Sequence, residues 1–129
     1  MPLTATSLKR LENVEPVLVD IIKEAISRTK LNVQISEGAR SLEQQKKNLA
    51  KGVSQTLKSK HIDPDGGGPK KARAVDIAII SADGKYDTDL KNYRAFADIV
   101  KKVAKEKGVK VVWGGDWKTL VDGPHFELV

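Results

Sequence analysis

Apolar side chains recur at helical spacing in two stretches of the chain and alternate with polar ones in others. Leu18, Ile21, Ile22, Ala25 and Ile26 fall on one stripe of a helix whose first position suits Pro16, because the N–H that proline lacks has no partner there. A shorter helical turn with Leu8, Leu11 and Val14 precedes it, and Ser7 is placed to cap it. Val33-Gln34-Ile35-Ser36 reads as a half-buried strand ended by Gly38. Ser41 followed by Gln44 has the form of a capping box and predicts a helix to about Lys51. Residues 52–73 are poor in apolar side chains and carry Pro64, Gly66, Gly67, Gly68 and Pro69, which predicts a long loop.

From Ala74 to Ile80 the pattern is the most strand-like of all, with Val75, Ile77 and Ile79 on one face and Asp76 on the other. Asp83-Gly84 turns the chain. Asp87 or Thr88 then caps a helix with Leu90, Tyr93, Phe96, Ala97, Val100 and Val103 on its stripe, stopped by Gly108. Lys110–Trp113 and Phe126–Val129 predict two further short strands. Helices and strands do not alternate strictly, so the expected class is α+β, with helices packed on a small, mainly antiparallel sheet.

Composition narrows the chemistry. The chain has 129 residues, no internal repeat and no linker, which is the size of a single domain, 1–129. Without cysteine it is no disulfide scaffold, iron–sulfur protein or thiol enzyme. No apolar run approaches the ~18 residues of a membrane span, and no signal peptide is evident, so the expectation is a soluble protein made in a cytoplasm without stable membrane association. Lys and Arg number 23 against 17 for Asp and Glu, a net charge of +6 that favours polyanionic partners. Aromatics at 5% and dispersed lysines argue against nucleic acid as that partner.

The chain has two histidines, His61 and His125. Asp76 sits mid-strand, where a carboxylate is disfavoured and needs a partner. Two imidazoles and a carboxylate make a plausible catalytic zinc set that leaves the fourth tetrahedral position to water. Asp122, three residues before His125, is placed to accept a proton from such a water. On composition alone, Asp122-Gly123-Pro124 is equally well explained as a plain turn before a terminal strand. The Gly66-Gly67-Gly68-Pro69-Lys70-Lys71 run lacks the spacing of a phosphate loop. Asp83, Asp87 and Asp89 lack calcium-loop spacing and are better explained as capping residues. Trp113 and Trp117 are expected to pack in the core or as a lid.

Four segments then follow one another in a familiar order: Ser59-Lys60-His61, Ala74-Val75-Asp76, Trp113-Gly114-Gly115-Asp116-Trp117 and Asp122-Gly123-Pro124-His125-Phe126-Glu127-Leu128. Upstream, Glu37-Gly38-Ala39-Arg40-Ser41 with Gln44 or Gln45 fits the same pattern. From about residue 10 to the C-terminus the chain resembles the zinc-dependent D-alanyl-D-alanine carboxypeptidase and L-alanyl-D-glutamate peptidase family, and within it the compact endopeptidases that bacteriophages use as endolysins.

That resemblance implies a hedgehog/DD-peptidase type of fold and a single zinc peptidase domain with no separate wall-binding domain. It implies zinc held by His61, Asp76 and His125, with Asp122 as general base and Arg40 polarising the scissile carbonyl. Substrate contacts are expected from Arg40, Ser59, Trp113 and Asp116. The separation of His61 from Asp76 exceeds the family's usual gap, so residues 62–73 read as an insertion whose Asp63 and Asp65 are competing metal donors. The implied substrate is the peptidoglycan stem peptide, cut between L-Ala and D-Glu. A D-Ala-D-Ala carboxypeptidase and a non-catalytic, zinc-bearing wall-binding module are the alternatives. A monomer is expected, held in the host cytoplasm until a holin admits it to the anionic cell wall.

Overall fold

The computed structural model describes residues 3–38, 72–117 and 121–129. Helix α1 spans Ala5–Arg10 and α2 spans Pro16–Arg28. Strand β1 (Asn32–Glu37) and strand β2 (Ala74–Ile80) follow, then helix α3 (Leu90–Glu106). The chain ends with β3 (Val111–Trp113), a 3-10 turn over Gly114–Asp116, and β4 (His125–Leu128). The strands lie in the order β1-β2-β4-β3 and every pair is antiparallel, which is the α+β arrangement expected from the pattern.

Period-two alternation splits the sheet into two faces. Val33, Ile35, Val75, Ile77, Ile79, Phe126 and Leu128 join the apolar stripes of α2 and α3 in one core. Phe96 of α3 meets Phe126 edge to face, with ring centroids 5.8 Å apart, a favoured aromatic geometry. Asp76, His125 and Glu127 occupy alternate positions on β2 and β4 and so belong to the opposite face. This division puts the polar chemistry outside the helical layer.

Local details differ from the sequence expectations at element ends. Thr4, not Ser7, caps α1: its hydroxyl accepts from the Ser7 N–H at 3.1 Å. Ser7 is buried within the helix, donating to Gln34 Oε1 at 2.8 Å and accepting from the Ile35 N–H at 3.0 Å, so it ties α1 to β1. Leu8 is exposed, whereas Leu11 and Val14 are buried. Asp89 is the cap of α3, accepting from the Lys91 N–H, while Asp87 accepts from the Asp89 N–H and from Asn92. β4 begins one residue earlier than expected, which draws His125 into the ladder opposite Asp76.

Three features shape the sheet near Asp76. A bulge between Ile35 and Glu37 sets Glu37 opposite Asp76, re-aiming the end of β1. Beyond β4, the Ile77 N–H donates to the Pro124 carbonyl at 2.9 Å and the Ile79 N–H donates to the Tyr93 hydroxyl, so the free edge of β2 stays satisfied. Ala72 is buried and bridged to α1's exit: its N–H donates to Asn13 O and its carbonyl accepts from the Glu15 N–H. The expected helix over 41–51 and the loop over 52–71 lie outside the described residues.

Candidate metal centre

Direct cross-strand pairing builds the site. Asp76 and His125 are opposite one another in the β2–β4 ladder, so their side chains emerge side by side on the face away from the core. His125 Nδ1 lies 3.0 Å from Asp76 Oδ1. Asp122 reaches the same place from the turn before β4, and single ligand atoms of Asp76, Asp122 and His125 all lie within 4.8 Å of one another. The carboxylate expected on sequence grounds to need a partner has found an imidazole.

The turn that carries Asp122 is held from both sides. The Asp122 N–H donates to the Gly114 carbonyl at 3.0 Å, and the His125 N–H donates to the Asp122 carbonyl at 3.2 Å. A Cβ on Gly114 would overlap the Asp122 carbonyl oxygen and crowd His125 Cβ at 3.0 Å, so only glycine allows this approach. Trp113 donates its indole N–H to the Gly123 carbonyl at 2.7 Å, a buried bond that fastens the turn to the sheet. The sequence pattern Trp-Gly-Gly before Asp-Gly-Pro-His thus has a mechanical reason.

His125 is buried, at 7% exposure, and both ring nitrogens are engaged. Burial opposes the charged imidazolium. Hydrogen bonding to Asp76 and Glu127, aided by the charges of Asp76 and Asp122, outweighs it and holds the His125 pKa above its ordinary 6.5. Trp117 packs its ring 5.1 Å from the imidazole, tilted by 44°, and forms one wall of the site.

The donor set suits a small divalent cation. Tetrahedral zinc with bonds of 2.0–2.2 Å separates two ligand atoms by ~3.3 Å. The Asp76–His125 pair, at 3.0 Å, needs only a slight opening to meet that geometry. An oxygen-and-nitrogen set with a nearby second carboxylate also matches what catalytic zinc takes in chemical type.

His61, Arg40, Ser59, Asp63 and Asp65 lie outside the described residues. Trp113 is 1% exposed, packed in the core with Arg94 and Lys101 against its ring, and its indole N–H supports the Asp122 turn. Asp116 is exposed and ion-paired with Lys101 of α3. Glu127, to which sequence reasoning gave no role, and Trp117, expected in the core or as a lid, border His125 directly. For Glu127 the signal was there: positions 125 and 127 of a strand share a face.

Comparisons with known proteins identify the family. The family model for phage L-alanyl-D-glutamate peptidase matches residues 1–129. The L-alanyl-D-glutamate peptidase of Escherichia phage T5 is 31% identical over 138 residues, covering 95% of this chain and 94% of that protein. The peptidoglycan L-alanyl-D-glutamate endopeptidase CwlK of Bacillus subtilis is 30% identical, covering 85% of this chain and 68% of its own length. Among solved structures, the Serratia marcescens L-Ala D-Glu endopeptidase ChiX superposes with a TM-score of 0.83 at 36% identity, covering 99% of this chain and 90% of that one. With the fold, the Asp-Asp-His convergence and a match along the whole chain in agreement, this protein belongs to the phage L-alanyl-D-glutamate peptidase family.

Proposed function

We propose that the chain hydrolyses the amide between L-Ala and D-Glu in the peptidoglycan stem peptide, using zinc held by His61, Asp76 and His125. The observation that carries the reading is the meeting of Asp76, Asp122 and His125 on the face of the sheet away from the helical core, in a chain of this family. When bound, zinc supplies a Lewis acid that brings the pKa of a coordinated water to about 7 and polarises a carbonyl oxygen.

The chain's own residues do the rest. A carboxylate oxygen of Asp122 takes the proton released as water oxygen bonds to the scissile carbon. It then delivers that proton to the amine nitrogen as the C–N bond breaks. Arg40 donates hydrogen bonds to the carbonyl oxygen as negative charge gathers there, a kind of contact whose loss typically costs roughly 10²–10³ in kcat. Ser59 is assigned to substrate contact. Trp113 supports the Asp122 turn through its bond to the Gly123 carbonyl, and Asp116, exposed beside the site, is assigned to substrate contact.

The charge of +6 suits an anionic wall. No helix among the described residues is long and apolar enough to cross a membrane. Release to the wall through a holin-type partner belongs to the same proposal.

Mass spectrometry of muropeptides digested by the purified chain, with and without chelator, tests it. The expected products are muramoyl-L-Ala and peptides with a free D-Glu amine, formed only when chelator is absent. Release of single D-Ala residues instead would assign the carboxypeptidase specificity. Binding to wall without any cleavage would leave a non-catalytic module.

A further inference from the structure

We infer that Glu127 is a positioning residue: it holds the proton of His125 on Nε2 and so directs the Nδ1 lone pair to the metal. The inference rests on the zinc reading above and concerns a residue to which that reading gives no part.

The geometry is specific. Positions 125 and 127 are one strand repeat apart, so both side chains rise from the same face of β4. Glu127 Oε1 lies 2.8 Å from His125 Nε2, while Nδ1 on the other side of the ring lies 3.0 Å from Asp76 Oδ1. A neutral imidazole has one N–H and one lone pair, and an ionised carboxylate only accepts. Two carboxylates therefore compete for one imidazole proton.

A cation breaks the tie. Once Asp76 gives its oxygen to a metal, it no longer calls for the proton, and among the described residues Glu127 does. The proton then belongs on Nε2, and Nδ1 faces the place where Asp76 and Asp122 converge. The ring has little freedom to choose otherwise. Its side chain is 9% exposed, that of Glu127 is 16% exposed, and Trp117 packs against the imidazole. Partners of this kind, which orient a metal-bound histidine through its second nitrogen, typically account for 10–100-fold in metal affinity.

The test uses the full chain labelled with 15N-histidine, which contributes two imidazoles. In the zinc-loaded protein, long-range 1H–15N spectra are expected to show His125 with Nδ1 bound to metal and Nε2 protonated. A proton on Nδ1 with metal at Nε2 would overturn the inference without needing any variant. Zinc competition titrations supply the second readout. Glu127→Ala is expected to bind zinc about 10–100-fold more weakly, and Glu127→Gln, which keeps an acceptor oxygen, to recover most of that loss. Wild-type affinity in Glu127→Ala, or equal losses in both variants, would refute the role. Should Glu127→Ala fail to fold, the wild-type spectrum and the Glu127→Gln titration still decide. If the wild-type chain itself takes up no zinc, the metal centre falls first, and the same titration shows it.

Discussion

Asp122 and His125 are three residues apart and adjoin the same point, yet their expected roles separate cleanly. His125 is built into the β2–β4 ladder with both nitrogens engaged, the posture of a ligand. Asp122 comes from a turn, half-buried, where a carboxylate can exchange protons with water. Asp122→Ala should therefore keep zinc and lose about 10²–10⁴-fold in turnover, whereas His125→Ala should lose zinc and turnover together. Metal content by elemental analysis, measured beside hydrolysis of purified peptidoglycan, separates the two. Near-normal turnover in Asp122→Ala would remove it from the chemistry. At this scale the sequence was readable because Asp76 is costly in a strand, and that cost singled it out before any partner was known. Glu127 escaped notice because an acidic residue near the end of the C-terminal strand has an unremarkable solvated explanation in the sequence.

The element that organises the site is the pair of turns at 114–117 and 121–124, clamped together between β3 and β4. Gly114 is its tightest point, since a methyl group there would strike the Asp122 carbonyl and press on His125 Cβ. Gly114→Ala should lower both zinc affinity and the melting temperature, because the Asp122 carbonyl in its way is backbone and the Cβ atoms of His125 and Asp122 are fixed to theirs, so none can rotate aside. Zinc titration alongside thermal unfolding checks this, and an unchanged variant would show that the turns move freely. The hydrophobic stripes predicted α2 and α3 closely, because long amphipathic periods leave little choice of face. The ends were harder. Thr4, Asp87 and Asp89 all sit where several short polar side chains could cap, and only the fold determines which one meets an N–H.

Across the whole molecule, α2 and α3 are joined at the surface by a two-pronged ion pair: Arg28 donates to both carboxylate oxygens of Glu106 at 2.8 Å and to Glu24 at 3.1 Å. Hydrogen bonding to the Arg28 guanidinium, with nearby lysines, holds the Glu106 pKa below its ordinary 4.5. A lowered folded-state pKa contributes stability that is present above the unfolded value and lost as pH falls through the folded one. Glu106→Gln should thus unfold more readily than wild type at pH 6–7, with the difference closing below about pH 4.5 and shrinking at high salt. Paired melting curves across that range test the sign. A gap that ignores pH would trace to packing of the side-chain stem instead.

Local patterning determined the class of the protein: two amphipathic helices, a central strand of alternating character and an Asp-Gly-Pro-His turn leave few arrangements other than helices on one side of a small antiparallel sheet. Recurring short segments in a fixed order were enough to indicate the family, because metal chemistry restricts the residue types at each position. Proximity is another matter. That Asp76 faces His125 follows from strand register, and register depends on which residues the core can bury at once, a non-local property. The same holds for Trp113, whose place beneath the Asp122 turn is set by where the assembled layers leave a cavity of its size. The chain thus spelled out its chemical inventory on its own. Long-range packing alone determined which members of that inventory touch.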